Sequence, residues 1–269
     1  MALALTVRAT AENATDSTNP SETTGSFTPS DNSLLVVAAT SQAESGTIAL
    51  AISDSVGLTW TSRASSPASS FNMASRIWTA PVTTGVSMTV TVSTTDGFGA
   101  VALAVVDLTG YDTGTPTGVN LAANTGSRSG AYSPALSGTS AADSIVIAAG
   151  ATDFGTATKG ASWTDIYDVQ SATGGTQHQI NIEYIASAVS AANWAALDSS
   201  FATTAVAIEI KAAAAGGSLS VNLVGRGGLA GAGGLAGVGG GLVGMPRRGL
   251  ILPHPSQIKT PERRIYASR

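Results

Sequence analysis

Two stretches of this chain spell the same series of features in the same order, and that duplication constrains the fold more than any other property. Phe27-Thr-Pro29 stands before the run Ser33-Leu-Leu-Val-Val-Ala-Ala39, and Tyr132-Ser-Pro134 stands before Asp143-Ser-Ile-Val-Ile-Ala-Ala149. Gly57-Leu-Thr-Trp60-Thr61 is answered by Gly160-Ala-Ser-Trp163-Thr164. Arg76-Ile-Trp78-Thr-Ala80 is answered by Ile182-Glu-Tyr184-Ile-Ala186, and Ala100–Leu108 by Thr203–Ile210. A repeat of this kind requires each half, about 25–110 and 130–213, to form the same set of elements.

Those elements are strands. Val86, Met88, Val90 and Val92 alternate with Ser87, Thr89, Thr91 and Ser93, which separates an apolar face from a hydroxyl face. Val206, Ile208 and Ile210 alternate with Ala207, Glu209 and Lys211, and Ile180, Ile182 and Tyr184 with Asn181 and Glu183. The continuous runs Leu34–Ala39, Val101–Val106 and Ile145–Ala149 read as central strands, with alanines that permit close contact between sheets. Turn clusters such as Pro29-Ser-Asp-Asn32 and Thr113-Gly-Thr-Pro116 separate the runs. The nearest candidate for a helix, Ser187–Leu197, is Ala-rich but broken by Ser and Asn. The expected fold is all-β: an antiparallel, jelly-roll-like β-sandwich built from two sequence-related halves. One sandwich assembled from both halves is preferred, because neither half has many large apolar residues with which to close a core of its own.

Composition agrees. Of the 269 residues only 11% are charged, too few for an ordinary helical enzyme surface but suited to sheets whose wet face is Thr and Ser. There is no cysteine, which removes disulfides and thiolate metal sites. Met1–Arg8 has no basic n-region or sustained apolar run, so a signal peptide is not expected. Residues 1–213 carry 6 Lys/Arg against 16 Asp/Glu, a balance of −10, and residues 214–269 carry 7 against 1, a balance of +6. A basic end on an acidic body points to an acidic partner surface.

The order SLLVVAAT, GLTWTSR, ASRIWTAPVTTGVSMTVTVS, GAVALAVVDLTGYD, DSIVIAAGATD, FATTAVAIEIKAA resembles a jelly-roll-like β-sandwich module of tailed-bacteriophage virion proteins, also found in bacterial surface proteins. The resemblance runs from about Thr24 to Ala213, in strand order and Trp-bearing turns, and carries no active site. It implies a structural virion component, either a minor tail protein or a capsid decoration or head fibre protein, with localisation to the virion. The alternative is a carbohydrate- or cell-surface-binding module used in host adhesion.

Catalytic chemistry has little to stand on in this sequence. His178 reads as a solvated histidine in a Gly/Gln-rich turn, and His254 lies between two prolines; neither has a Ser/Asp constellation at recognisable spacing. Asp153-Phe-Gly155 spells a kinase tripeptide without its accompanying motifs. Asp54, Asp96, Asp112, Asp165 and Asp168 fall mainly in turn-like stretches, where Asp bonds its own backbone. Asp165 and Asp168 are the pair that would share a calcium ion with loop carbonyls, but no calcium-loop spacing supports it. Asn13-Ala-Thr15 fits a glycosylation sequon. Trp60, Trp78, Trp163 and Trp194 are read as packing residues rather than a sugar-stacking platform, since three of them align with repeat positions. The reading is of a protein that is not an enzyme, with no cofactor and no metal.

Residues 214–246 form a glycine-rich arm; between Gly216 and Gly244, 13 of 29 residues are glycine. Gly227–Ala232, Gly233–Val238 and Gly239–Gly244 are near-copies of one hexapeptide. The tract reads equally as a flexible linker or as an extended arm ordered between subunits, with Leu229, Leu235 and Leu242 as anchors. Its sparse leucine and valine argue against a membrane segment, and the absence of proline between Gly225 and Gly240 against collagen. The tail, 247–269, is basic and proline-spaced. Its candidate partner-binding residues are Arg247, Arg248, Ile251, Ile258, Lys259, Arg263, Arg264 and Tyr266, arginines to fork carboxylates and apolar side chains to anchor. The expected partners are other virion proteins, as capsid or tail subunits, and further copies of the chain in a homo-oligomer. A host-surface glycan belongs to the alternative reading, and nucleic acid is the weaker use of the same arginines.

Overall fold

The computed structural model describes residues 2–13, 17–43, 48–66, 73–94, 98–125, 129–172, 177–199 and 202–214. Asp96, most of the Asn13–Thr15 sequon, the glycine tract, His254 and all eight candidate tail residues lie outside the described residues.

In chain order the strands of the first half are β1 (Ala4–Glu12), β2 (Ser17–Thr18), β3 (Ser21–Thr23), β4 (Ser33–Ala43), β5 (Leu50–Asp54), β6 (Thr61–Ser65), β7 (Met73–Val82), β8 (Val90–Thr94) and β9 (Phe98–Thr109). The second half contributes β10 (Thr117–Thr125), β11 (Ile145–Asp153), β12 (Gly155–Lys159), β13 (Thr164–Ala172), β14 (Gln177–Ile185), β15 (Trp194–Ser199) and β16 (Thr203–Ile210). No helix occurs among the described residues, and the Ala-rich stretch before Leu197 runs into β15.

The duplication holds strand by strand. The large sheet of the first half has the order β1-β9-β4-β7-β6, and that of the second β10-β16-β11-β14-β13, which is the same order in equivalent strands. The smaller sheets, β3-β8-β5 and β12-β15, also correspond. Outside the strands, the bridge between Phe27 and Met88 is matched by the bridge between Tyr132 and Trp194. All pairing is antiparallel, and the chain passes back and forth between a large and a small sheet in each half.

The register corrects one sequence correspondence. Thr61 pairs with Thr79, and Thr164 with Tyr184, so Thr79 and Tyr184 are equivalent. Trp78 therefore matches Glu183, not Tyr184. In a strand a slip of one residue turns every side chain to the other face, so the difference is one of environment as well as alignment.

The continuous apolar runs are explained by burial on both faces. Leu34, Val36 and Ala38 of β4 face the second half, where Ile145, Ile147 and Ala149 of β11 meet them in one central core. The alternate residues Leu35, Val37 and Ala39 face the small sheet of their own half, packing with Trp78, Met88, Val90 and Val92. In the second half Val146 and Ala148 face outward to Trp163, Trp194 and Leu197. The halves thus share one core, as the sequence implied, and each also closes a core of its own. The expectation that neither half had side chains enough for that fell short, because Phe27, Trp78 and Met88 supply the volume in the first half, and Trp163, Trp194, Leu121, Leu136 and Leu197 in the second.

The two large sheets meet about a local two-fold axis. β11 lies over β4 and β7, β16 over β7 and β6, β10 over β6, β14 over β4 and β9, and β13 over β9 and β1. Strand order across one sheet is therefore met by the reversed order of equivalent strands in the other, with β4 and its counterpart β11 nearest the axis. Both run toward the same end, where Gln42 at the end of β4 donates a hydrogen bond to Asp153 at the end of β11.

Candidate interaction surfaces

The register gives the body a polarity. Gln42 pairs with Met73, Ala43 with Gly99, Asp153 with His178, Thr125 with Thr203 and Gly155 with Ser199, so these strand ends lie together. The strand ends that flank the β1–β2, β4–β5, β6–β7, β8–β9, β11–β12, β13–β14 and β15–β16 connections therefore all lie at one end of the sandwich. The opposite end holds the start of β1 and the exit of the chain after β16, where Ala213 donates to the Gly110 carbonyl. There a depression of about 500 Å³ is lined by residues such as Ala2, Leu3, Ser144, Ile145, Ala186 and Ala213. At about 3.3 Å per residue, the 11 residues of β4 set the two ends roughly 35 Å apart.

At the loop end Phe154 is 39% exposed and holds a φ of 52°, a left-handed backbone that a bulky side chain rarely adopts. Asp153 beside it is half-buried, and burial pushes its carboxyl up to about 6, while the Gln42 hydrogen bond works the other way.

His178 corrects the sequence reading. It is fully buried, not solvated: it opens β14 on the face of Ile180 and Ile182 and so points into the central core. Its Nε2 lies 3.4 Å from Thr40 Oγ1 across the halves, and its Nδ1 has no hydrogen-bond partner. Burial pushes the imidazole down to about 3, so the ring is neutral. Among the described residues no serine is hydrogen-bonded to it, and its surroundings are those of a packing residue.

The remaining acids are mostly turn and strand anchors. Asp54 accepts from the amides of Val56, Gly57 and Leu58 and from Trp60 Nε1 at 2.8 Å. Burial works to raise its pKa, but those hydrogen bonds together hold it below the usual range. Asp112 caps its own turn through Gly114 and Thr115, and the Thr115 hydroxyl leads in holding its carboxyl low. Asp107 and Glu209 occupy equivalent places near the ends of β9 and β16. Asp107 takes the Ser30 amide at 2.6 Å and the Arg8 guanidinium at 2.8 Å; Glu209 takes the Ala141 amide at 2.7 Å and the Val119 amide at 2.9 Å. In each half a serine, Ser33 or Ser144, closes the same turn onto the carbonyl of Ser30 or Ala141. Repetition of this detail marks it as architecture.

Asp165 and Asp168 lie on the exposed outer face of β13, on either side of a bulge. Asp165 accepts from Asn181 Nδ2 at 2.8 Å, and burial together with the Asp165 charge raises Asp168. Opposite Asp165 stands Glu183, fully buried, with one oxygen held by the Gly160 amide at 3.1 Å and the other without a partner. Burial pushes Glu183 up to about 8. Among the described residues no three carboxylate or imidazole side chains are grouped to hold a metal ion. Sequence reasoning missed Glu183, because alternation in β14 places it on a face that looks wet until β12 covers it.

Three tryptophans are core residues, as expected: Trp78, Trp163 and Trp194 are 3%, 4% and 0% exposed. Trp194 stacks on Tyr132 at 6.2 Å, and Arg76 lies 5.2 Å over the Trp78 ring. Trp60 is half-buried and tied to Asp54.

What the geometry defines is a class: an all-β double sandwich whose chain exit lies at one end and whose other set of strand ends lies at the opposite end, with carboxylates used mainly as structural anchors. Compared with known proteins, the chain matches no family model, no curated protein and no solved structure.

Proposed function

We propose that this chain is a structural component of a tailed-bacteriophage virion, a minor tail protein or a capsid decoration or head fibre protein. Its acidic sandwich is displayed, and its C-terminal segment attaches it to neighbouring subunits. The observation that carries this reading is the polarity of the body. The chain leaves for its basic segment at one end, and the strand ends flanking seven inter-strand connections gather about 35 Å away at the other. A protein held by its C-terminal segment would thereby present its loops away from the attachment. The opposite charges of body and tail supply attraction between neighbours, and Arg247, Arg248, Lys259, Arg263 and Arg264 are the residues that would pair with carboxylates.

The test is deletion of residues 215–269. The remaining body is expected to fold and to fail to incorporate into particles, and normal incorporation would sink the reading. Loss of wild-type incorporation at raised salt would assign the attachment to the arginines rather than to Ile251, Ile258 and Tyr266.

A second reading, adhesion to a host-surface carbohydrate, is favoured by Phe154, an exposed aromatic held in a strained backbone at the loop end. A glycan array probed with the body and with Phe154→Ala separates the two: binding lost in the variant supports adhesion, and no binding by either removes it.

A further inference from the structure

We propose that the large-sheet face of each half is a self-recognition surface, and that the second half stands where a second copy of the first would stand. The chain is then a closed pair of modules joined by one short connection, not a single sandwich that happens to have an internal repeat.

Three observations carry this. Equivalent strands face one another about a two-fold axis, the arrangement of an isologous interface between identical subunits, in which one patch meets a copy of itself. Each half keeps a separate core on its far side, around Trp78 and Met88 in one and around Trp163 and Trp194 in the other, so neither depends on the seam alone for its apolar packing. Side-chain contacts across the seam take one partner from each half: Gln42 with Asp153 and Thr40 with His178.

The departures from symmetry give the surface its specificity. Gln42 and Asp153 are equivalent residues lying beside the axis, so a pair of first halves would set amide against amide, which can hydrogen-bond. A pair of second halves would set two Asp153 carboxylates together, and like charges forced to share a site oppose the pairing. His178 replaces Met73 of the first half, and its Nε2 meets Thr40, for which the second half has Ala151. The seam therefore favours first half with second half over second half with itself.

The experiment keeps the full chain and inserts a protease site after Gly114, in the exposed turn between the halves. After cleavage the two pieces are expected to elute together at micromolar concentration. On dilution or in mild urea they should part into two folded modules, each retaining its β-sheet circular dichroism and buried-tryptophan emission, and they should rejoin on mixing. The separated second half is expected to pair with the first at least about tenfold more tightly than with itself at pH 7, and Asp153→Gln to reduce that preference. The proposal is overturned if the pieces part at once, if they stay inseparable until both unfold in one transition, if either loses its sheet signal on separation, or if the second half self-pairs as readily.

Discussion

Gln42 and Asp153 are the same position of a duplicated strand, and they hydrogen-bond to each other across the seam between the halves. Around them lie His178, Thr40, Ser75 and Thr204, and one atom each of Gln42, Ser75, His178 and Thr204 is buried without a partner. Among the described residues, the titratable groups at this end of the seam include Asp153 and His178, with Glu12, Tyr167 and Glu22 interacting nearby.

Asp153 and His178 oppose each other in their dependence on pH. The folded state raises Asp153 to about 6, so its contribution is present in acid and lost as pH rises through that value. The folded state lowers His178 to about 3, so its contribution is present above the ordinary histidine range and lost as pH falls toward 3. Between pH 4 and 6 these two contributions should therefore nearly cancel, leaving the wild type with the fall that Glu183 imposes. Relative to wild type, His178→Met, which copies Met73, should lose stability with rising pH there and Asp153→Asn should gain it, each difference having a slope of at most about 1.4 kcal/mol per pH unit. Urea midpoints across that range check both signs; equal slopes in the two variants would refute the assignment.

Glu183 fills the place that Trp78 fills in the other half, and it does so with a carboxyl raised to about 8. Stability linked to this proton is present below the ordinary glutamate range and lost as pH rises through 8. Glu183→Gln keeps an acceptor for the Gly160 amide and removes the charge. It should be more stable than wild type above pH 8, on the order of 2 kcal/mol, and indistinguishable near pH 4. Thermal melts at the two pH values measure this.

Gly150 is required by Trp194. A Cβ placed there would meet the indole at 2.7 Å from Cε2, against a ring that is fully buried. Gly150→Ala should cost about 1–3 kcal/mol and shift the tryptophan emission, whereas Gly114→Ala in the exposed turn should leave that emission unchanged.

Asp54 organises the first Trp-bearing turn through three amides and the Trp60 indole. Asp54→Ala should lower stability by about 1–2 kcal/mol and red-shift Trp60 emission, with the central core unaffected by hydrogen exchange. Its folded carboxyl lies below the usual range, so this contribution is present at neutral pH and lost in strong acid.

Much of the fold is legible in the order of the residues. Runs such as Leu34–Ala39 and Ile145–Ala149 are apolar at every position, which only a strand covered on both faces requires, and β4 and β11 are such strands. The duplicated order of turns and strands implies two equivalent large sheets, and both are present. Of the candidate partner-binding residues, all eight stand in the tail outside the described residues, so their role rests on charge and proline spacing alone.

Other features are invisible in one dimension. Trp78 and Tyr184 look equivalent in sequence because both are aromatic and flanked by small or branched residues. Pairing with Thr61 and Thr164 sets the register one residue away and gives them opposite faces. His178 looks solvated because its neighbours in the chain are Gly and Gln, yet its environment comes from Thr40, 138 residues distant. The sequence by itself determined which residues alternate, which runs lie at the centre of a sheet and that the pattern occurs twice, because those depend on neighbours along the strand. Which face of β14 is covered, and which residues meet at the axis, was decided only by the tertiary structure, because burial is a property of what packs above a strand and not of the strand itself.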